Sequence, residues 1–211
     1  VAKGLQYLHS FEIIHGNLKG ANVLISESGK AQICDYGLSP IISSPIADLG
    51  VTASSRWLAS EIIDPPSEAN SKPLAGSKSA DVFAFAMLAV EVFSGRTPFE
   101  DVNNALAGIR ILEGKRPAKS QAGEQLGLTA EMWKLIEKCW NASPNKRPTI
   151  DEVVGTWEGF VNGYVLSFGS SASQHITPRN NNRSSTSKGP GRRSQFVESS
   201  TTHGGEHGKP S

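Results

Sequence analysis

Cysteine is nearly missing: Cys34 and Cys139 are the two that 211 residues contain. Such a scattered pair is no disulfide framework, and it makes a reduced, intracellular setting the expectation. Both thiols read as small core fillers. Long apolar runs are absent as well. The longest, Val82 to Phe93, contains Glu91 and is too short for a bilayer, so no membrane span is expected. No signal peptide is recognisable. Charge of one sign is also missing, with 21 Lys and Arg against 20 Asp and Glu. A strongly basic fold built to hold nucleic acid is therefore not expected. The apolar share, 37%, is low for a fully globular chain, so part of it is expected to stay unfolded.

The charge that is present is unevenly placed. Residues 1–168 carry 15 basic and 18 acidic side chains, whereas 169–211 carry 6 and 2. Arg179, Arg183, Lys188, Arg192 and Arg193 are loosely spaced with no aromatic between them, which reads as a solvated linker rather than a nucleic-acid or lipid contact. Residues 164–211, rich in Ser, Gly and Arg, are expected to form a disordered tail. The length then leaves one domain, residues 1–163.

Within that domain the pattern is mostly helical. Val1, Leu5 and Leu8 recur at helical spacing. Asn22 to Ile25 and Ala31 to Cys34 read as two short strands about the turn Ser28-Gly29-Lys30, a hairpin that brings Asn22 and Asp35 together at its open end. The stretches 38–55 and 64–79 lack periodicity and read as loops. Val82, Phe85, Met87, Leu88 and Val92 belong to a helix apolar almost all round, and so buried. Leu106, Ile109 and Leu112 predict a shorter amphipathic helix. Met132, Leu135, Ile136, Cys139 and Trp140 predict another. Thr149 to Glu152 is a capping box that opens a final helix.

Several motifs occur in one order. His15-Gly16-Asn17-Leu18-Lys19-Gly20-Ala21-Asn22 resembles the protein-kinase catalytic loop, His-Arg-Asp-Leu-Lys-x-x-Asn. Asp35-Tyr36-Gly37 resembles the Asp-Phe-Gly motif. Arg56-Trp57-Leu58-Ala59-Ser60-Glu61 is similar to an activation-segment end, where the family has Ala-Pro-Glu. Asp81 to Ala86 resembles the opening of the family's buried central helix. Cys139-Trp140 with Pro144, Arg147, Pro148 and Thr149 resembles a signature of the tyrosine-kinase-like group, while Lys19-Gly20-Ala21 looks like a Ser/Thr-type loop. Five such matches in the family's order are specific, and they cover Val1 to about Gly163.

The resemblance implies a mainly α fold, the C-terminal lobe of a kinase, with a small β-hairpin at the active site. No Gly-rich phosphate loop, Val-Ala-x-Lys strand or partner Glu precedes Val1, so the small lobe is expected to be absent. ATP and Mg2+ are the implied cofactors, with Asp35 and Asn22 as metal ligands and Lys19 beside the transferred phosphoryl group. His15 is implied to pack under the metal motif, Glu61 and Arg147 to form a buried ion pair, and Asp81 to cap its helix and hold the catalytic-loop backbone. A protein is the implied substrate or partner.

The departures carry as much information. Asn17 stands where the family has the Asp that takes the substrate proton, and an amide cannot do so. Gly16 replaces an Arg that grips an activation-loop phosphate, which weakens any such role for Ser39, Ser43, Ser44, Thr52 or Ser55. Tyr36 replaces Phe, Ser54 a Thr, Ser60 a Pro and Ala86 a Gly. Three readings stand open: an impaired kinase-fold binding module, a working Ser/Thr kinase, and a non-functional gene fragment.

Overall fold

The computed structural model describes residues 1–37, 54–65 and 76–160. Ser39, Ser43, Ser44 and Thr52, the prolines Pro66 and Pro73, and the tail 164–211 lie outside them. The described elements are helices and a single two-stranded sheet. Helix α1 is Ala2–Ser10, followed by the loop that holds His15 to Asn22 and by strands β1, Val23–Ile25, and β2, Ala31–Ile33. Helix α2 is Ser60–Ile63, α3 Lys78–Ser94, α4 Asn104–Leu112, α5 Gln121–Gln125 and α6 Ala130–Cys139. A last helix, α7, takes in residues 150–160.

The strands pair antiparallel, Val23 with Ile33, Leu24 with Gln32 and Ile25 with Ala31. Asn22 is not in the strand, as expected from sequence, but ends a 3-10 turn over Gly20–Asn22. Its carbonyl still closes the hairpin by accepting the Cys34 N–H at 3.0 Å.

Helix α3 is the axis of the fold. Its apolar side chains point in all directions, and every residue from Ala80 to Val90 is buried. Ser77 caps its N-terminus by accepting the Ala80 N–H at 3.0 Å, a role that stabilises the free amides of a first turn. The capping role expected of Asp81 therefore falls to Ser77, four residues earlier. Gly95, at φ 68, ends the helix in a conformation costly for other residues. In the last turn the burial becomes one-sided: Val92 is 62% exposed, while Phe93 packs against the core and the Trp157 ring. Helices α5 and α6 and the turn Ser55–Trp57 pack on α3.

In α4 the sequence stripe is inverted. Leu106, Ile109 and Leu112 are each more than 40% exposed, while Ala107, Gly108 and Ile111 make the buried face. The reason is closeness: α4 lies against Ser55–Trp57, and a Cβ built on Gly108 would already sit 4.0 Å from that of Ser55. Small residues, not large ones, permit that approach. The capping box at α7 forms with both arms: Glu152 accepts the Thr149 N–H at 2.7 Å, and Thr149 Oγ1 accepts the Glu152 N–H at 3.3 Å.

Candidate active site

The loop from His15 to Asn22 runs along α3, and a carboxylate in the first turn of that helix fixes its backbone. Asp81 Oδ2 accepts the His15 N–H and Oδ1 the Gly16 N–H, both at 2.8 Å. The same Oδ2 lies 2.8 Å from His9 Nε2, on α1. Asp81 is 2% exposed and His9 5%. A buried carboxylate is tolerable only when its lone pairs are filled, and here three donors from two segments fill them. Asp81 also lies in the first turn of α3, where the helix dipole favours negative charge.

Glu91, the lone carboxylate in the apolar run, does similar work one loop-length on. Its Oε2 accepts the Gly20 N–H and the Trp57 indole N–H, each at 2.9 Å. It thus ties the loop to the segment before α2. A Cβ on Gly20 would come within 2.4 Å of Oε1, so a side chain at that position would displace the Glu91 carboxylate. Sequence reasoning missed His9 and Glu91. The signal for Glu91 was its isolation in an apolar helix.

Further along, Arg147 Nη1 and Nη2 meet Glu61 Oε1 and Oε2 at 2.6 and 2.9 Å, a two-pronged pair. Arg147 also donates to the carbonyls of Asn141 and Ser79 and lies over the Phe83 ring at 5.0 Å. Its side chain is fully buried and that of Glu61 is 15% exposed. Arg56 joins the same segment to residues 98–104, through Asn104 and the carbonyls of Pro98, Phe99 and Val102. Ser55, one of the hydroxyls considered for phosphorylation, is buried at 2%.

The open face of the loop holds Asn17, Lys19 and Ser54. Lys19 Nζ donates to Ser54 Oγ at 2.9 Å, and Ser54 Oγ donates to Asn17 Oδ1 at 2.9 Å. Asn22, 5% exposed, donates through Nδ2 to the Asn17 carbonyl at 2.7 Å. That bond uses the amide nitrogen of Asn22 and leaves its Oδ1 as an acceptor. Asp35 follows Cys34 at the same hairpin end, exposed and at φ 59. Among the described residues no hydrogen bond or ion pair engages its carboxylate.

His15 is fully buried beneath this face. Its Nδ1 accepts the Asn17 N–H at 3.3 Å, so the ring proton belongs on Nε2, which has no partner among the described residues. Burial lowers its pKa, with the Asp81 charge and then smaller contributions pulling the other way. Its carbonyl accepts the Gly37 N–H at 3.3 Å, which links the loop to the turn after Asp35. The cysteines carry no site: Cys139 is buried with its thiol pushed up to about 12 by desolvation, and Cys34 is half-buried.

Two hard oxygen donors, the Asp35 carboxylate and Asn22 Oδ1, fit magnesium, which binds through one or two protein oxygens and keeps water or phosphate in its other positions. Among the described residues no group of three or more His, Cys, Asp or Glu forms a self-sufficient metal cage. A cavity of about 510 Å3 lies elsewhere, lined by Val90, Arg96, Phe99, Arg110 and Arg116 among others, and shares no residue with this loop. Among the described residues no helix is long and apolar enough to cross a membrane.

A helical lobe with a hairpin at its open end, and a loop held from beneath by a helix carboxylate, is the architecture of a protein-kinase C-terminal lobe. The model of the protein tyrosine and serine/threonine kinase family matches residues 1–156, and the chain belongs to that family. It is 33% identical over 159 residues to a probable serine/threonine-protein kinase of Dictyostelium discoideum, covering 73% of this chain and 16% of that one. It is 29% identical over 168 residues to the dual specificity protein kinase pyk3 of the same organism, covering 78% and 12%. Against the serine/threonine-protein kinase STY17 of Arabidopsis thaliana it is 30% identical over 155 residues, covering 73% and 25%. The chain thus spans a quarter or less of the length of these relatives.

Proposed function

We propose that this lobe is a catalytically impaired kinase module, one that binds a protein and, with a small lobe, Mg-ATP, but transfers phosphate poorly. The observation that carries the reading is Asn17. Its Oδ1 is occupied by Ser54 and its other terminal atom is an amide nitrogen, so no atom of the side chain can take a proton from a hydroxyl. Loss of a general base costs about 10²–10⁴ in rate. The lobe is read as residues 1–163, with 164–211 as a tail, and its setting as the cell interior.

Kinases of this family use ATP and Mg2+, and the metal draws charge off the phosphates. Asp35 and Asn22 Oδ1 would hold that ion, and Lys19 would stabilise charge spread over the phosphoryl oxygens. His15 and Asp81 position the loop without touching the reacting atoms. A working Ser/Thr kinase is the second reading, and the hydrogen-bonded chain from Lys19 through Ser54 to residue 17 favours it, since phosphoryl transfer relies mainly on positioning.

The deciding experiment fuses the chain to a competent small lobe and measures single-turnover transfer and nucleotide affinity. Asn17→Asp should raise turnover by about 10²–10⁴ with little change in ATP affinity, because a base acts on the transition state. Asp35→Asn should instead weaken magnesium-dependent nucleotide binding. Equal turnover with Asn17 and Asn17→Asp would overturn the impaired reading and leave the working kinase in its place.

A further inference from the structure

The substitution at Asn17 does more than remove a base: it reverses what the open face of the loop offers. An ammonium is a donor only, so Ser54 Oγ must accept from Lys19 Nζ. Its own proton goes to Asn17 Oδ1. The carbonyl end of the amide is thereby engaged, which leaves Nδ2 with its two N–H groups for a ligand. Among the described residues no acceptor meets it. A carboxylate here would present a negative acceptor suited to a hydroxyl. The amide presents two donors, which a hydroxyl hydrogen can do nothing with.

Lys19 changes character for the same reason. With an amide at position 17, no carboxylate adjoins it through Ser54. Among the described residues it forms no ion pair, not with Asp35 and not with Glu91. Two of its three N–H groups remain beyond the one given to Ser54. Lys19 and Asn17 together therefore offer donors and one positive charge, with the Asp35 carboxylate at the neighbouring hairpin end. Charge-assisted hydrogen bonds to anionic oxygen are roughly twice as strong as neutral ones.

We propose that this face binds a phosphomonoester, the phosphorylated Ser or Thr side chain of a protein partner, rather than a free hydroxyl. A phosphate offers several oxygens, enough for Asn17 Nδ2 and Lys19 Nζ to be satisfied at once. The proposal rests on the impaired reading given above, because a residue that served as base could not present donors. A free phosphate ion shares the same oxygens, and the test separates the two sources.

The experiment uses the full chain, without nucleotide, and fluorescent Ser-centred peptide pools that differ only in phosphorylation. The phosphorylated pool should bind at least about tenfold more tightly, the equivalent of one charge-assisted bond. Asn17→Asp keeps the shape, adds a negative charge and should abolish that preference, as should Lys19→Met. Arg110→Ala, outside the loop, should leave it intact. The resonances of the Asn17 Nδ2 protons should move on binding of the phosphorylated pool. Four outcomes would overturn the proposal: equal binding of the two pools, unchanged preference in Asn17→Asp, a Glu-centred pool binding as tightly as the phosphorylated one, and inorganic phosphate competing at the concentration at which the phosphopeptide binds. These results are independent of turnover. Fast transfer by the Asn17 fusion would remove the impaired reading, whereas equal peptide affinities would remove only this inference.

Discussion

The two sides of the catalytic loop obey different rules. Beneath it, Asp81, His9 and Arg147 are buried polar groups whose hydrogen bonds come from several elements at once, with Glu61 and Glu91 as partly exposed members of the same framework. Above it, Lys19 and Asn17 are half-exposed and joined by a single hydroxyl, and Asp35 is exposed. A change beneath leaves several desolvated groups without partners. A change above alters which atoms meet a ligand and leaves the packing alone. The contrast accounts for a kinase architecture that carries Asn17: among the described residues its side chain bonds Ser54 alone, and no buried group of the underside depends on it.

The strongest test of that contrast is Asp81→Ala against Asn17→Asp. Removing the Asp81 carboxylate leaves the His15 and Gly16 amides and the His9 ring unpaired in the interior, at about 1–3 kcal/mol each. The sum is comparable with the whole stability of a domain, about 5–15 kcal/mol, so Asp81→Ala should fail to fold. Asp81→Asn, which keeps the shape and one acceptor, should fold with a lowered melting temperature. Asn17→Asp should melt close to the original. If Asn17→Asp is destabilised as much as Asp81→Asn, the two faces do not differ as described.

Next in size is Arg147→Ala. It leaves the Glu61 carboxylate uncompensated and removes the contact with Phe83, and breaking one partner of such a pair costs about 3–5 kcal/mol. Arg110 is the control. It pairs with Asp101 on the surface, where its hydrogen bond holds the Asp101 pKa below the ordinary range. Solvent and salt weaken that pair, so Arg110→Ala should lower the denaturation midpoint much less. Equal shifts in urea titrations would show that the Glu61–Arg147 pair is no part of the rigid underside.

The underside was only partly legible in the sequence, and the open face was legible as an order of residues rather than as a set of contacts. Asn22 and Asp35 are brought to one hairpin end by local order, whereas Lys19 and Asn17 are joined through Ser54, 35 and 37 residues away. His9 and Glu91 act across 72 and 71 residues of chain, and no local pattern announces a partner that far off. The apolar pattern gave the buried α3 well because that helix is surrounded on every side. It misjudged α4, where Gly108 and Ala107 make the close contact and the larger Leu106, Ile109 and Leu112 are left outside. Periodicity records where apolar residues are, not which neighbour needs a small one. Ser77 was missed as the α3 cap because it lies at the end of a stretch read as featureless loop.

A smaller effect should follow at Gly20. The added methyl of Gly20→Ala would meet the Glu91 carboxylate, which is itself held by the Gly20 N–H and the Trp57 indole. Overpacking of this kind costs about 1–3 kcal/mol. In a Glu91→Ala background the methyl has room, so Gly20→Ala should cost less there than in the original chain. A double-mutant cycle with no coupling would mean that Glu91 does not grip the loop.

The mildest test joins the two faces through His15. Its pKa is lowered, chiefly by burial, from an ordinary value of 6.5, so the folded chain prefers the neutral ring. In the unfolded chain the same ring gains a proton as pH falls through that ordinary value. Between the ordinary and the lowered pKa the unfolded state therefore binds more protons, and stability rises with pH. The contribution of His15 is fully present above 6.5 and is lost progressively as pH falls from there toward the lowered value. Asp81, then Asp35, oppose the burial effect, which keeps the loss modest. Urea midpoints at about pH 7.5 and about pH 5.5 should thus separate more in the original chain than in His15→Asn, whose side-chain oxygen can still accept the Asn17 N–H. Parallel losses in the two proteins would mean that His15 is charged in the fold, with a proton on Nδ1, and that the Asn17 backbone is not held by the acceptor described for it.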